Sequence, residues 1–396
     1  MINKSYCVVG GAFTVQGVMV GCLYAYGVFF NYLETDLGWS RTQLSLGMSL
    51  TVIVMGLFSI PAGRLSDKFG ARWVLMGSSL FAGVGIMLLT TLSAPWQLYI
   101  FFSLMFGIGM CTHDVVTLSA VAKWFPKRRG AVSAVVKVGT ATGQMIMPIL
   151  VSFLILAYGW RSAFLFLGVG ALFVLLIASY LTGIKPQSNP GNPQQTQSNE
   201  FTFKEACKER SVWTLCAIQL LLFISFMTIP LHIVNHAIDM GDTPAEASRI
   251  LSTIAAFSVV GRMIIGFLVD RIGSKNAFLI GLLPLVISLC WILFIEDTRT
   301  LYFFAAIYGF SHGGLFTVVS PTVADLFGTR AHGTIFGMIW LFGTVGGFAG
   351  SLITGMIFDA GNSYQLAFLM MAGASFLALL LGLTLPAKKK SDLVPN

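Results

Sequence analysis

Apolar residues run in long blocks, without two-residue alternation, along almost the whole chain. Blocks of roughly 20 residues, each long enough to cross a hydrocarbon core about 30 Å thick, recur twelve times. They lie at roughly 6–31, 43–62, 73–93, 97–122, 131–157, 162–183, 212–236, 248–268, 277–295, 300–324, 333–358 and 365–386. In lipid only helices and closed barrels satisfy the backbone hydrogen bonds, and long uninterrupted apolar runs are typical of helices. The pattern predicts an all-α membrane protein with twelve transmembrane helices.

Composition and charge agree with this topology. Of the 396 residues, 56% are hydrophobic and 10% are charged, which excludes a water-soluble globule. When the chain is threaded through alternate sides, Lys and Arg collect on the side that holds both termini, which is therefore cytoplasmic. The net charge of +8 then follows from topology, and no basic soluble domain remains to bind nucleic acid. We expect a multi-pass protein of the plasma membrane, with short loops compatible with a bacterial inner membrane.

The two halves of the chain resemble each other at a nearly fixed spacing. Residues 63–70, GRLSDKFG, return as 266–273, GFLVDRIG, 203 residues later. Residues 36–38 return as 239–241 at the same spacing, and two weaker matches follow at 202 and 204. Four matches in order indicate an internal duplication, which predicts two pseudo-symmetric bundles of six helices related about an axis along the membrane normal.

A polar segment separates the two predicted bundles. It contains KPQSNPGNPQQTQSNE, whose Pro, Gln, Asn and Ser cannot form a buried core, and it reads as a flexible cytoplasmic linker. We therefore divide the chain into an N-terminal bundle at 1–184, a linker at 185–211 and a C-terminal bundle at 212–396.

The repeated turn carries a family resemblance. The pattern Gly-x-x-x-Asp-Lys/Arg-x-Gly after the second and eighth segments is similar to the signature of the major facilitator superfamily, and the resemblance covers essentially the whole chain. It implies that Asp67, Arg72 and Asp270 latch the two bundles in one conformational state. The alternative is a tight glycine turn with solvated charges.

A second resemblance concerns the fifth and eighth segments. Residues 124–139, WFPKRRGAVSAVVKVG, are similar to the entry into helix 5 of monocarboxylate porters. Arg262 occupies the place of the helix 8 arginine found in those porters and in bacterial oxalate/formate exchangers. The chain departs from the porters at Ser258, where many animal porters carry Asp, and in having no Lys in the first segment. Their proton route therefore cannot simply be transferred to this chain.

Arg262 is the most informative single residue. It lies in an apolar stretch with no other charged residue from 250 to 269. A guanidinium keeps its proton, so in hydrocarbon it costs about 3 kcal/mol or more unless it faces a wet cavity or a negative partner. We interpret Arg262 as the group that binds an anionic substrate in a cavity between the bundles. A structural arginine bonded to helix carbonyls is the alternative.

Asp114 and His113 in the fourth segment and Lys137 in the fifth are also deep. Helical rise places Lys137 roughly 12 Å inside the core from the cytoplasmic side, and Asp114 at a similar depth on the antiparallel neighbour. An ion pair between them is therefore allowed. The pair could be purely structural and hold the fourth helix against the fifth. It could also be a switch, in which protonation of Asp114 releases Lys137 to attract an anion. Asp114 and His113 are accordingly the candidate proton carriers.

Four further polar residues could orient the ligand, together with Arg262 and Lys137. They are Tyr24, Tyr26, Gln144 and His312, although each could equally be a helix-packing contact. The six cysteines show no paired spacing, and two histidines at 232 and 236 lack a third ligand. We expect no metal, no disulfide and no cofactor.

Together these features predict a secondary active transporter of small organic anions, most simply a proton-coupled transporter of monocarboxylates. Its partners would be the organic anion, protons and the lipid bilayer, and we expect a monomer. An organic anion exchanger without net proton movement and a non-transporting membrane sensor remain as alternatives. An enzyme is disfavoured, because the sequence offers no nucleophile and base pair and no cofactor loop.

Overall fold

The computed structural model describes residues 4–184, 200–361 and 363–387, and within these ranges the side chains of 244 and 245 are excluded. Most of the predicted linker, residues 185–199, lies outside the described residues. The last residues of the linker are described, and Phe203–Ala206 forms a short helix there.

Eleven helices in the described ranges are long and apolar enough to cross a membrane. One of them, Arg129–Thr182, has 54 residues and is broken at Gly159, where φ is 78°. Its two arms count separately, so the prediction of an all-α membrane protein with twelve helices in two six-helix bundles is confirmed. The helices are α1 (Lys4–Leu37), α2 (Arg41–Phe69), α3 (Ala71–Thr91), α4 (Pro95–Trp124), α5 (129–158), α6 (160–182), α7 (Arg210–Asp239), α8 (Pro244–Ile272), α9 (Ser274–Phe294), α10 (Thr298–Phe327), α11 (His332–Gly361) and α12 (Gln365–Thr384).

Several helices run past the apolar blocks that predict them. Helix α1 continues to Leu37 and so includes Glu34 and Asp36, beyond the apolar block that ends near residue 31. A helix can continue beyond its apolar block where it leaves the membrane, because water solvates the polar side chains there while the backbone hydrogen bonds of the helix continue. Apolar blocks therefore locate a span better than they locate its ends.

The turns at equivalent places in the two repeats have the same geometry. Ser40 caps α2 and Thr243 caps α8, each accepting a 3.3 Å hydrogen bond from the backbone N–H three residues on. Each cap is a reciprocal capping box. Gly70 ends α2 with φ 89° and Gly273 ends α8 with φ 84°, a backbone region that glycine enters at little cost. These four residues form two pairs spaced by 203, so the duplication extends to backbone conformation.

The described chain separates into two compact units. The first contains the described residues of Met1–Pro126 and Val135–Glu200 together with Gly328–Gly337. The second contains Lys127–Ala134 and the described residues of Phe201–Phe327 and Met338–Asn396. Each unit thus includes a short stretch from the opposite half of the sequence.

Glycines allow close helix packing inside each unit. In the first unit, a Cβ on Gly143 of α5 would collide with the carbonyl oxygen of Gly17 on α1. In the second unit, a Cβ on Gly346 of α11 would collide with the carbonyl oxygen of Leu220 on α7. Each residue of the first pair lies 203 positions before its counterpart in the second. Small residues at such contacts let backbones approach, which is a main source of helix association in lipid.

We expect Gly143→Ala to destabilise the protein by about 1–3 kcal/mol, because the added methyl group has backbone rather than a flexible side chain in its way. Gly170→Ala on α6 is the matched control, since a Cβ there meets nothing within 4 Å. Thermal denaturation in detergent measures the effect. Equal melting temperatures for the two variants would contradict the proposed tight contact between α1 and α5.

Candidate functional site

A cluster of buried polar side chains lies in the first unit where α1, α4 and α5 meet. Asp114 is 1% exposed and Lys137 is 3% exposed. The Lys137 Nζ atom lies 2.7 Å from Asp114 Oδ1 and 2.9 Å from Oδ2, so the ammonium contacts both carboxylate oxygens. Breaking a buried pair by removing one partner leaves a charge that costs several kcal/mol. The structure therefore contains the ion pair that the sequence allowed, in a fully desolvated place.

His113 adds a second polar contact to Asp114. Its Nδ1 atom lies 2.7 Å from the carbonyl oxygen of Met110, so this nitrogen carries a hydrogen and donates it. Its Nε2 atom lies 3.3 Å from Asp114 Oδ2. Two lone pairs would repel each other there, so a proton between Nε2 and Oδ2 makes this contact favourable, whichever atom holds it. The His113–Asp114 contact thus has the geometry to share one proton.

Helix α4 changes its winding just before these residues. Tyr99–Phe106 is π-helical, Gly107–Met110 is α-helical again, and a turn at Cys111 precedes the last α-helical part. π-helical turns are rare and frequently accompany functional sites. The change of winding alters which way the side chains after Cys111 face relative to those before Tyr99.

Gln16 on α1 completes the cluster, and the sequence analysis missed it. Its side chain is 0% exposed. The Nε2 atom lies 2.9 Å from the His113 carbonyl oxygen, 2.7 Å from Asp114 Oδ1 and 3.1 Å from Thr117 Oγ1. One signal could have found it, because the residue 203 positions later, Gln219, is also a glutamine in an apolar run.

In the second unit, Arg262 is 5% exposed on α8, and Ser258 one turn earlier is 4% exposed. Helix α8 packs closely against α10 at this level. A Cβ on Gly261 would collide with the carbonyl oxygen of Phe310, and one on Gly313 would collide with that of Ser258. Arg262 is therefore carried by a closely packed pair of helices.

His312 lies on α10 among aromatic rings of the same unit. Its ring centroid is 4.8 Å from that of Phe226, 5.0 Å from that of Phe316 and 5.7 Å from that of Tyr308. The ring is half-buried. This environment orients the imidazole by packing.

The three remaining predicted contacts, all in the first unit, differ in exposure. Tyr24 is 49% exposed and Gln144 is half-buried. Tyr26 is 4% exposed, donates its hydroxyl hydrogen to the Leu44 carbonyl oxygen at 2.8 Å and stacks on Phe102. Tyr26 is thus engaged in packing α1 against its neighbours, whereas Tyr24 and Gln144 keep accessible surface.

Asp67 and Asp270 occupy equivalent places in their units. Asp67 accepts backbone hydrogen bonds from Gly333 at 3.2 Å and Thr334 at 2.8 Å. Asp270 accepts two at 2.8 Å, from the backbone N–H groups of residues 130 and 131. Each carboxylate therefore caps the N-terminal turn of a helix, α11 for Asp67 and α5 for Asp270, where the helix dipole favours a negative charge.

The neighbouring charges of the two caps differ. Lys123 lies 3.2 Å from Asp67 in the first unit, while in the second unit Arg129 lies 3.4 Å from Asp325. Arg72, predicted to act with Asp67, lies over the Tyr180 ring at 4.1 Å from its centroid. The roles of Asp67, Arg72 and Asp270 as a latch stay predictions.

The sequence matches a known protein family over most of its length. The family model described as Major Facilitator Superfamily matches residues 12–241 and 225–395. The chain is 29% identical to the MFS transporter asaE of Aspergillus flavus, over 91% of this chain and 81% of that protein. It is 26% identical to monocarboxylate transporter 13 of Rattus norvegicus, over 94% of this chain and 86% of that protein.

Solved structures share the fold. The structure of the proton:xylose symporter XylE bound to 6-bromo-6-deoxy-D-glucose superposes with a TM-score of 0.78 at 15% identity, covering 98% of this chain and 97% of that one. The human organic anion transporter MFSD10 gives a TM-score of 0.72 at 16% identity, covering 96% of this chain and all of that one. At such identities the likeness concerns the fold alone.

A double-mutant cycle tests the buried ion pair. We expect Lys137→Met to destabilise the protein by about 3–5 kcal/mol, because it leaves the Asp114 carboxylate without its cation. Adding Asp114→Asn should restore most of that loss. Lys123→Met is the control, since its pair with Asp67 is partly exposed and should contribute at most about 1 kcal/mol. Chemical denaturation of the four proteins measures the coupling, and additive effects of the two substitutions would rule out a strong pair.

Proposed function

The chain belongs to the Major Facilitator Superfamily and is a multi-pass membrane transporter, and from this premise we propose that it carries small organic anions, in particular monocarboxylates, together with protons. The observation that carries the proposal is Arg262, a permanently charged side chain buried in a membrane span. A guanidinium presents a planar fork of donors that matches a carboxylate in two parallel hydrogen bonds. This chemistry favours an organic anion over a sugar.

The balance of deep charges supports the same substrate class. Lys137 and Arg262 are cations and Asp114 is an anion, so these three buried side chains carry a net charge of +1. One substrate carboxylate would lower the net charge of these side chains, to zero while Asp114 is ionised and from +2 to +1 once it is protonated, and a lower charge costs less in the membrane. A relative of similar length is named monocarboxylate transporter 13, which supports the proposal.

Coupling to protons rests on the contact between Asp114 and His113. A proton held there on Oδ2 turns the carboxylate into a neutral acid, which no longer attracts Lys137 as an ion. Lys137 would then be free to attract the substrate anion. Loading of the proton and loading of the anion would therefore favour each other, which is what a symporter requires.

The finer assignments belong to the same proposal. Besides Arg262 and Lys137, the substrate contacts would be Tyr24, Tyr26, Gln144 and His312. Asp67, Arg72 and Asp270 would stabilise one conformational state. We further propose a monomer in the plasma membrane, with both termini cytoplasmic and bundle boundaries at 1–184 and 212–396.

An organic anion exchanger is the second candidate, and one observation favours it. The Asp114–Lys137 pair is already neutral as it stands, so the protein could change conformation without taking up a proton. Counterflow of labelled substrate against unlabelled substrate would occur in both cases. Accumulation driven by a pH gradient would occur only in the symporter.

Arg262→Ala should lower uptake of the transported acid into proteoliposomes by about 30-fold or more, because losing one partner of a buried charge pair costs about 2–5 kcal/mol. Arg262→Lys should recover part of the loss, since it keeps the charge but not the fork. Arg249→Ala is the control, an exposed arginine on the same helix. Lactate, pyruvate, formate, oxalate and acetate form the substrate panel. Full uptake by Arg262→Ala would end the proposal.

Asp114→Asn should abolish accumulation driven by a pH gradient while leaving counterflow, because asparagine resembles the protonated acid in charge and cannot release a proton. The two assays on the same proteoliposomes separate coupling from binding. Unchanged accumulation would exclude Asp114 as the proton carrier and favour the exchanger.

A further inference from the structure

Two histidines lie where the end of α7 meets the start of α12 in the second unit. His232 and His236 are one helical turn apart on α7, and both are half-buried. The His232 ring centroid lies 5.5 Å from that of Tyr364, which precedes α12. The His236 ring centroid lies 5.8 Å from that of Tyr364 and 4.9 Å from that of Phe368. Both imidazoles therefore belong to the junction that packs α7 against α12.

The equivalent junction of the first unit is apolar. Phe29 and Leu33 lie 203 positions before the two histidines, and both are 0% exposed. Phe29 stacks on Phe164, which lies 204 positions before Phe368, with ring centroids 3.6 Å apart. Hydrocarbon thus closes this junction in the first unit, and imidazole closes it in the second. Imidazole is the side chain whose charge ordinarily changes between pH 5 and 8.

One nitrogen of each imidazole is buried without a hydrogen bond. The Nε2 atoms of His232 and His236 have no hydrogen-bond partner among the described residues. A neutral imidazole carries one hydrogen, so with that hydrogen on Nδ1 the Nε2 atom is only an unpaired neutral acceptor. An imidazolium carries a hydrogen on each nitrogen. Protonation would therefore put a charged donor at a buried place that offers no acceptor, which is far less favourable.

Carboxylates lie at the same end of α7. Asp239 is exposed one turn after His236 and interacts with it electrostatically. Asp242 lies in the following turn, where its backbone N–H donates to the Ala237 carbonyl oxygen at 3.1 Å. Its Oδ2 atom is buried, and no described residue donates a hydrogen bond to it. Acceptors for an imidazolium are thus present at this end of the helix, provided that the rings move.

The neighbouring helices bring further charged residues to this end of the unit. Asp359 on α11 is exposed and interacts electrostatically with Tyr364. The charged residues at the corresponding ends of α8 and α10 are also exposed, so water solvates them: Glu246, Arg249, Glu296, Asp297 and Arg299. Asp239 is the charged residue that acts on His236.

We propose that His232 and His236 form a proton-responsive junction: neutral, they hold the end of α7 against Tyr364 and Phe368, and protonated, they move apart from these rings to reach water and Asp239. Two imidazolium groups one turn apart also repel each other. The protons come from the solvent, and no other bond is made or broken. The proposed topology places this end of α7 outside the cell, so acid there would loosen the second unit and leave the first unit unchanged. The inference is independent of the transported substrate and of the proton site at Asp114.

Hydrogen exchange of the purified protein tests the proposal at about pH 7.5 and 5.5, on either side of the ordinary histidine pKa of about 6.5. The double variant His232→Phe/His236→Leu carries the two residues that the first repeat has at these places. After correction for intrinsic rates, exchange in residues 230–240 of the wild type should be about 10-fold faster at the lower pH, because a buried unpaired donor favours local opening. The double variant should show no such rise. Residues 27–37 are the internal control and should respond in neither protein.

The variants separate a proton response from a general effect of acid. A rise that the double variant also shows, or equal rises in the two segments, would overturn the proposal. Each single variant should reduce the rise without abolishing it, which keeps the test available if the double variant does not fold. The exchange measurement involves no transport, so its failure would leave the proposed function untouched, and a failure of uptake would leave this inference untouched.

Asp239→Asn gives a readout that packing alone would not move. A nearby carboxylate favours the imidazolium form, so its loss should shift the midpoint of the exchange rise to lower pH. The closed junction at about pH 7.5 should exchange as in the wild type. An unmoved midpoint would overturn the part of the proposal that assigns Asp239 as the acceptor.

Discussion

The dominant constraint on this molecule is the cost of placing charge in hydrocarbon. A chain with so few charged residues in its spans can keep one there only if a partner or a substrate offsets the lost hydration. Asp114 and Lys137 meet this constraint by direct contact, with both carboxylate oxygens engaged. Such a pair is neutral but responds to protonation, because one proton on the carboxyl removes the attraction for the ammonium. The Asp114–Lys137 contact is thus both the place where charge is buried and the place where a proton would change the attraction between two helices.

The duplication shows how one scaffold carries two different interiors. The glycine contacts that pack α1 against α5 recur between α7 and α11, and the caps and positive-φ turns recur as well. The side chains buried between these helices do not recur. Where the first repeat has Asp114 and Lys137, the second has Phe316 and Trp340, and the second repeat places its buried cation at Arg262 on α8. The backbone contacts are the same in both repeats because they determine the fold. The buried charged residues differ, with an Asp–Lys pair in the first unit and a single arginine in the second.

Much of the architecture can be read from the sequence, and the rest depends on packing. Hydropathy predicts the helices because lipid leaves the backbone no alternative, and helical rise alone brings Asp114 level with Lys137. Gln16 escapes such reasoning, since one glutamine in an apolar run is more often a packing contact than a ligand. The π-helical part of α4 also escapes it, because an apolar run such as YIFFSLMF reads as an ordinary α-helix. Side-chain directions after Cys111 therefore need the three-dimensional structure.

The two cytoplasmic caps show how equal geometry can carry unequal charge. Asp67 and Asp270 cap equivalent helix N-termini. Position 123 beside Asp67 is Lys, but its counterpart 202 residues later, Asp325, is a second acid. Arg129 contacts Asp325 at 3.4 Å and Arg128 interacts electrostatically with Asp270, so the second cap combines two carboxylates with two guanidinium groups, while at the first cap Lys123 contacts Asp67. The two carboxylates thus cap equivalent helix N-termini, but the charged side chains beside them differ.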